Sequence, residues 1–357
     1  MIPLSSQDFE ALISPYQLKG PIAVAVSGGG DSMALVLLMQ EWAVPLGIQI
    51  IALTVDHCLR PESAKEAALV QRWLSAREIP HHTLVWQHQG VSSALQQRAR
   101  EARYELMTNW CLENGISCLL TAHHLDDQWE TFLMRLAKGS GLRGLCGIRA
   151  KSLMNGVDLI RPLLSVRADC LKKTLDRFEQ PFIQDPSNHK TQFDRVRWRQ
   201  LLSALSQQGL TPEAVDQVIR RLQMTESYLQ QELQKALKVC VVTIKSGSPH
   251  PFGVRDDEGE DSSLRAKRGN PGIFTEKINL KAFQDLHQEI AYRLLSHLLA
   301  KVGGQPYPLP YESLERLYEK ITPPTFVGAT AGGCYLKKVR EGWIEVKKET
   351  PRGSKPL

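Results

Sequence analysis

Cysteine is scarce and unpaired in this 357-residue chain. The seven present, Cys58, Cys111, Cys118, Cys146, Cys170, Cys240 and Cys334, are odd in number and scattered, and no two form a C-x-x-C pair. Disulfide, zinc and iron–sulfur readings therefore lose their sequence basis. Long hydrophobic runs are missing too. No stretch approaches the ~18 apolar residues that cross a bilayer, so no membrane is expected as a partner. The first twenty residues carry Asp8 and Glu10, with Lys19 as their base, and no continuous apolar core of an export signal. A cytoplasmic protein is the expectation. Charge of neither sign dominates: 44 Lys and Arg against 38 Asp and Glu leave +6, so distribution matters more than the total. Residues 161–200 hold nine bases and five acids, and residues 331–357 hold seven and three. Each segment is +4. The pair hints at a polyanionic partner, although solvated basic faces would look the same.

At ~150 residues per domain the length suggests two domains. In the first half, short β-branched runs alternate with helical patterns. The runs are 22–26, 48–55, 82–86, 116–122 and 157–160. Between them, 32–42, 61–78, 92–114 and 125–137 read as helices, the second opening on Pro61 at a first helical position. Five such steps predict an α/β fold, a doubly wound parallel sheet whose ligands bind at the carboxyl ends of its strands. Trp73, Trp86, Trp110 and Trp129 sit at helix or strand positions and are expected in the core. After Pro186 the pattern changes. A long polar helix is expected over 212–237, followed by helices over 280–302 and 311–321 and strands over 334–339 and 343–346. The resulting division is 1–200 catalytic domain, 201–244 helical linker region, 245–272 low-complexity insertion and 273–357 small α+β domain. The insertion has too few apolar residues to fold alone.

The sharpest local signal is the run Ile22 to Val26 followed directly by Ser27-Gly28-Gly29-Gly30-Asp31-Ser32 and an apolar helix. Glycines without Cβ let successive backbone N–H groups converge on an anion, and the helix N-terminus adds partial positive charge, so a phosphate is favoured there. Neither the Walker nor the dinucleotide spacing is matched. A plain strand-to-helix turn needs fewer glycines than this. A second cluster, Thr121-Ala-His123-His124-Leu-Asp126-Asp127-Gln-Trp-Glu130-Thr131, lies at the end of the fourth run. Its carboxylates are hard oxygen ligands placed where a nucleotide's Mg²⁺ needs them. Asp126 and Asp127 are equally suited to satisfying helix N-terminal N–H groups. His124 is read as a packing residue. A third segment, Val55-Asp56-His57 with Leu59-Arg60 and Ser63, follows the second run.

Together the three segments resemble the PP-loop ATP pyrophosphatases. Within that superfamily the chain is similar to the lysidine synthases: through V-D-H-x-L-R-x-x-S at 55–63, A-R-x-x-R-Y at 99–104, H-H-x-D-D-Q-x-E-T at 123–131 and G-S-G-x-x-G-L at 139–145, and through Arg161-Pro-Leu-Leu164 and Asp185-Pro-Ser-Asn188. These motifs run in order over residues 21–199. One departure is Arg195-Val196-Arg197-Trp198-Arg199, where the family commonly has Asn after the first arginine; the outer arginines are kept.

The resemblance implies a ligase that adenylates the wobble cytidine of an isoleucine tRNA with a CAU anticodon and lets free L-lysine displace AMP. It implies ATP on Ser27, Gly28, Gly29, Gly30, Asp31 and Ser32, and Mg²⁺ on Asp31 and Asp127. His123 and Arg195 would stabilise the α-phosphate. Glu130 would hold lysine, with Arg100 or Arg103, and Arg199, on substrate. The small second domain would bind tRNA, and a homodimer stays open. Two rivals remain. A tRNA thiolase of the same superfamily would generally need paired cysteines, which this sequence lacks. A non-catalytic nucleotide- or tRNA-binding protein would be expected to have lost the set Asp31, Asp127 and Glu130, which is intact.

Overall fold

A computed structural model describes residues 2–88, 95–184, 194–245, 274–304, 309–339 and 342–349. They fall into two compact units, Met1–Met224 and Thr225–Leu357. Nearly all of the expected insertion lies outside the described residues.

The first unit runs α1 (Ser6–Ile13), β1 (Ile22–Ala25), α2 (Gly30–Ala43), β2 (Ile50–Asp56), α3 (Ser63–Ser75), β3 (His81–Val85), α4 (Leu95–Glu113), β4 (Cys118–Leu120), α5 (Leu125–Ala137), α6 (Leu142–Leu145), β5 (Lys151–Met154), β6 (Val157–Ile160), α7 (Ala168–Arg177) and α8 (Asp194–Gln207). Its sheet has the order β3-β2-β1-β4-β6-β5. All neighbours pair in parallel except β5, which is antiparallel to β6. The sequence reading missed β5, although its turn carries the strongest short hairpin signal. Asn155 and Gly156 both have positive φ, 50° and 85°, as a two-residue turn of matching twist requires.

Strand β1 shows why the sheet is covered on both faces. Ile22 and Val24 enter one core with Met33 to Met39 of α2 and Leu171 and Leu175 of α7. Ala23 enters the other with Tyr104, Met107 and Cys111 of α4. A continuous apolar strand with period-two side chains demands two such layers. Helix α3 begins at Ser63, with Glu62 at its N-cap, so Pro61 lies in the preceding turn and not at a first helical position. The order of strands puts a topological switch between β1 and β4, where chain connections leave in opposite directions and a crevice opens at the carboxyl edge.

Helix α9 (Pro212–Cys240) contributes Val215 and Ile219 to a cluster with Trp129 and Phe132 of α5 and Trp198 of α8. Its later residues Leu233, Ala236 and Cys240 belong to the core of the second unit. That unit holds β7 (Val241–Lys245), β8 (Phe274–Asn279), α10 (Leu280–Gln284), α11 (Gln288–Gly303), α12 (Tyr311–Ile321), β9 (Gly328–Ala331), β10 (Cys334–Val339) and β11 (Trp343–Lys348). Its strands form one antiparallel sheet in the order β7-β8-β11-β10-β9. The single helix expected over 280–302 is two, because His287 takes an extended conformation at the N-cap of α11, where its side chain accepts from Glu289 N–H. Among the described residues no helix is long and apolar enough to cross a membrane.

One polar anchor ties the first three strands together. Thr54 Oγ1 donates to Val26 O at 2.7 Å and meets His81 Nε2 at 2.8 Å. Burial pushes the His81 imidazole down to about 4, against about 6.5 in an unfolded chain. Below about pH 6.5 the unfolded chain gains a proton that the folded chain refuses until about pH 4, so this contribution is full above that range and lost as the pH falls through it. Replacing His81 by Gln should make unfolding free energy less steep with pH between about 6.5 and 4.5. Urea melts at a series of pH values test this, and equal slopes in the two proteins would contradict it.

Candidate functional site

The carboxyl edge of β1 opens into the glycine loop, and three of its residues have separable reasons to be there. Gly28 has φ of +85°, and a Cβ on it would lie 2.6 Å from Ile183 Cδ1 and 2.7 Å from Val70 Cγ2. Backbone and space both demand glycine. At Gly30 a Cβ would press on Leu175 at 3.3 Å, whereas at Gly29 it would meet Ser27 Oγ at an ordinary 3.5 Å. Ser32 closes the loop: its hydroxyl donates to Gly29 O at 2.9 Å and accepts from Ser27 N–H at 3.1 Å. Gly29 is the N-cap of α2, so the amides of Gly30, Asp31 and Ser32 begin a helix and have no acceptor within it. Those amides and the helix dipole form an anion cradle.

Strand β4 delivers the second half of the rim. His124 is the N-cap of α5, and its N–H donates to Asp127 Oδ2 at 3.0 Å. The ring of His124 is 4 % exposed and stands among three carboxylates. Its Nε2 lies 3.4 Å from Asp31 Oδ2 and 3.6 Å from Asp127 Oδ2, and its Nδ1 lies 3.7 Å from Asp126 Oδ2. Burial disfavours charge on the imidazole, but the hydrogen bond with Asp31 and the fields of Asp127, Asp31 and Asp126 outweigh it and raise its pKa to about 9. The acids around it thus favour the protonated ring. The expectation that it packs is right about burial and incomplete about role: it joins the loop of β1 to the helix after β4.

The two adjacent aspartates do different things. Asp126 accepts from Ala168 N–H at 2.8 Å and from Arg167 at 3.2 Å, and Arg167 also reaches Glu213 at 3.0 Å. It anchors the start of α7. Asp127 and Asp31 face one imidazole nitrogen from two helix N-termini. That is a pair of carboxylates and not a three-ligand cage; among the described residues no group of three His, Cys, Asp or Glu could hold a metal. A pair suits Mg²⁺, which usually binds one or two carboxylates and completes its shell with waters and substrate phosphates.

The other sequence-assigned residues lie on several elements. His123 meets Thr121 Oγ1 through Nδ1 at 2.9 Å. Glu130, in α5, is 1 % exposed. The guanidinium of Arg103 lies near His57, whose pKa is lowered by burial and then by Arg103, which sets Arg103 beside the end of β2. Arg100 is exposed, stacks over the Tyr104 ring at 5.2 Å and lines a separate groove with Gln97, Asn155 and Arg161. Arg195 and Arg199 belong to helix α8, but their side chains lie outside the described residues, as does Asp185 to Asn188. Trp129 is fully buried and donates to Leu210 O at 3.0 Å. Trp86 instead stands half-buried at the rim, edge-on to His57 at 5.9 Å and 4.4 Å from His88. Sequence reasoning passed over Arg167 and the charge on His124, since neither stands in a pattern that announces its partner.

Fold and site define a PP-loop protein, and the PP-loop domain family matches residues 3–205. A tRNA(Ile)-lysidine synthase of Wolbachia pipientis wMel is 34% identical over 334 residues, covering 92% of this chain and 71% of that protein. The one from Methylobacterium nodulans is 33% identical over 359 residues, covering 98% and 97%, and the one from Bradyrhizobium sp. is 33% identical over 334, covering 93% and 87%. The chain belongs to the tRNA(Ile)-lysidine synthase family. Among solved structures, the U34-tRNA thiolase NcsA from Methanococcus maripaludis, with its [4Fe-4S] cluster, shares the fold, with a TM-score of 0.53 at 17% identity over 61% of this chain and 76% of that one.

Adding a Cβ at Gly28 should strain the backbone by about 1–2 kcal/mol, before any clash with Ile183 and Val70 is counted. Gly28→Ala is expected to lower the melting temperature and abolish ATP binding, while Gly29→Ala remains folded close to wild type. Calorimetric titration with ATP and thermal melts of both variants check this. Equal stability in the two would remove the steric account of the loop.

Proposed function

We propose that the chain ligates lysine to C2 of the wobble cytidine of isoleucine tRNA bearing a CAU anticodon. In the first step the cytidine O2 attacks the α-phosphate of ATP and pyrophosphate leaves. In the second, the ε-amine of lysine, having lost a proton, forms a bond to C2 as the C2–O bond breaks and AMP departs. The products are lysidine, AMP and pyrophosphate. One observation carries the assignment: the N-termini of α2 and α5 bring Asp31 and Asp127 to a single imidazole beside the glycine cradle.

Each residue then has a task its position supports. The amides of the Ser27 to Ser32 loop bind the pyrophosphate portion of ATP, donors that strengthen as charge grows on the leaving group. Mg²⁺ held by Asp31 and Asp127 would neutralise phosphate charge during the displacement. His123, steadied through Nδ1 by Thr121, would direct its other ring nitrogen at the α-phosphate, with Arg195 as a second cation. Glu130 offers a buried carboxylate to the α-ammonium of lysine, leaving the ε-amine to react. Arg103, at the rim, is assigned to substrate in preference to Arg100, and Arg199 also to substrate. The +4 segment 161–200 would meet tRNA phosphates, as would the segment 331–357 in the second unit, and such contacts make affinity fall with salt. The thiolase alternative finds no exposed pair of cysteines: Cys111, Cys118, Cys146, Cys240 and Cys334 are buried, Cys170 is half-buried and Cys58 alone is exposed. Burial raises the thiols of Cys111 and Cys118 to about 12 and about 11, which holds both away from the reactive thiolate.

Pyrophosphate release that requires tRNA, and that requires lysine to continue beyond the first turnover, is the direct test. Asp127→Asn should reduce it by at least about 100-fold with the fold retained by circular dichroism; full turnover in that variant would refute the site. Glu130→Gln should raise the lysine KM at least about tenfold while leaving the KM for ATP near wild type, the loss of one charge-assisted contact. Parallel increases in both constants would move Glu130 from substrate to scaffold.

A further inference from the structure

Arg161 opens the motif Arg161-Pro-Leu-Leu164, to which the ligase reading gives no task. It follows β6 directly and is 8% exposed. One end of its guanidinium is accounted for, since Nη1 donates to Arg149 O at 2.7 Å and to Ser152 Oγ at 3.2 Å. Its buried Nε has no hydrogen-bond partner. Among the described residues no carboxylate pairs with it. The ionisable groups that act on it are two phenols, Tyr104 and Tyr16, and a second cation, Arg100: burial works most strongly against its charge, Tyr104 supports it, and Arg100 adds to the effect of burial. Arginine does not escape by losing its proton. A buried cation that lacks a counter-charge is costly, and neutral acceptors do not supply one.

Arg161 lines a groove of about 650 Å³ whose walls are α4 and the β5–β6 hairpin. Helix α4 presents Arg100, Glu101, Tyr104 and Glu105 to it, positions three and four apart that share one helix face. Glu101 accepts from Gln97 Nε2 at 2.8 Å, and among the described residues neither Glu101 nor Glu105 forms an ion pair. Two bases and two acids thus line one groove and are held too far apart to cancel in pairs. On the exposed helix surface Arg100, Glu101 and Glu105 would by themselves be ordinary solvated charges. Arg161 is not ordinary, because it is buried. Glu130, which the ligase reading gives to lysine, does not line this groove.

We propose that the groove is a binding site for a small amino carboxylic acid with its two charged groups at opposite ends, the carboxylate seated on Arg161 beside Arg100 and the ammonium facing Glu101 and Glu105. The carboxylate supplies the counter-charge that Arg161 lacks, and Nε–H gains an acceptor in a charge-assisted hydrogen bond. A nucleic-acid strand would also offer an anion to Arg161, but it is negative along its whole length, and the two carboxylates on the same helix face would repel it. A dipolar molecule of zero net charge satisfies both ends. The groove is of the right size, since sites of about 300–1,000 Å³ hold small ligands.

The test uses the whole chain without ATP or tRNA, with 6-aminohexanoate as the probe and hexanoate and hexylamine as controls that keep one charged end each. Calorimetric titration reads affinity, and NMR of the chain labelled with ¹⁵N-arginine reads location. The Arg161 Nε–H signal, identified by its loss in Arg161→Lys, is expected to move with the probe, and each control should bind at least about tenfold more weakly. The double variant Glu101→Gln/Glu105→Gln, confined to the exposed surface of α4, should weaken the probe by about 10- to 100-fold, and it keeps the site testable if Arg161→Lys does not fold. Glu130→Gln should leave the probe's affinity unchanged, so failure of this site and failure of the lysine assignment read separately. Absence of binding by the unaltered chain, equal affinity for hexanoate, or full affinity in the double variant would each overturn the proposal. An Arg161 signal that moves with single-stranded RNA and not with the probe would overturn it as well, by giving the guanidinium to a phosphate.

Discussion

The buried ring of His124, set among three carboxylates, is the constraint on which the rim depends. Asp31, Asp126 and Asp127 all lie within 4 Å of its ring nitrogens, and three carboxylates gathered at that range would repel one another without a positive charge between them. Burial alone would neutralise the ring. The hydrogen bond with Asp31 and the combined fields of the acids act against it and raise the ring's pKa. Because Asp31 and Asp127 belong to the first turns of α2 and α5, one ring nitrogen links the two helix N-termini.

The rest of the first unit holds this arrangement rigid by ordinary packing. Helix α2 buries every residue from Ser32 to Met39, which prevents the glycine loop from rotating about its helix. Ile183 N–H donates to Gly28 O at 2.9 Å, so the segment after α7 covers the loop from behind. Gln128 spans to Ile148 with both ends of its amide, at 2.9 and 2.6 Å, tying α5 to the loop that precedes β5. Polar groups this well buried are satisfied or costly, and here they connect consecutive motif segments.

Much of the fold was legible because its signals are local. The run from Ile22 into three glycines and an apolar helix contains strand, loop and helix start in nine or ten residues, and α5 appears with the bounds its periodicity suggested. The elements that were missed fail for identifiable reasons. Strand β5 is short and lies at an edge, and its alternation puts Leu153 outward and Ser152 inward, against the usual apolar-in order; α7, with Leu171 and Leu175 inward, is too brief to separate from its charged surroundings. The break between Gln284 and Gln288 is a matter of three residues, invisible to a period of 3.6.

At the site the division is sharper. Residue type and order alone determined that a phosphate-binding loop is followed by a strand-end cluster of acids, since glycine's freedom and carboxylate chemistry are properties of the residues themselves. Which aspartate does which task was decided only by the tertiary structure. Asp126 and Asp127 are neighbours in sequence and equivalent in chemistry, yet successive positions on a helix point about 100° apart. One therefore meets Arg167, the start of α7 and Nδ1 of His124, while the other shares Nε2 of His124 with Asp31. The charge state of His124 likewise depends on acids that come together only when β1 lies beside β4, because a histidine's pKa is set by the fields and burial around it and not by its own place in the chain.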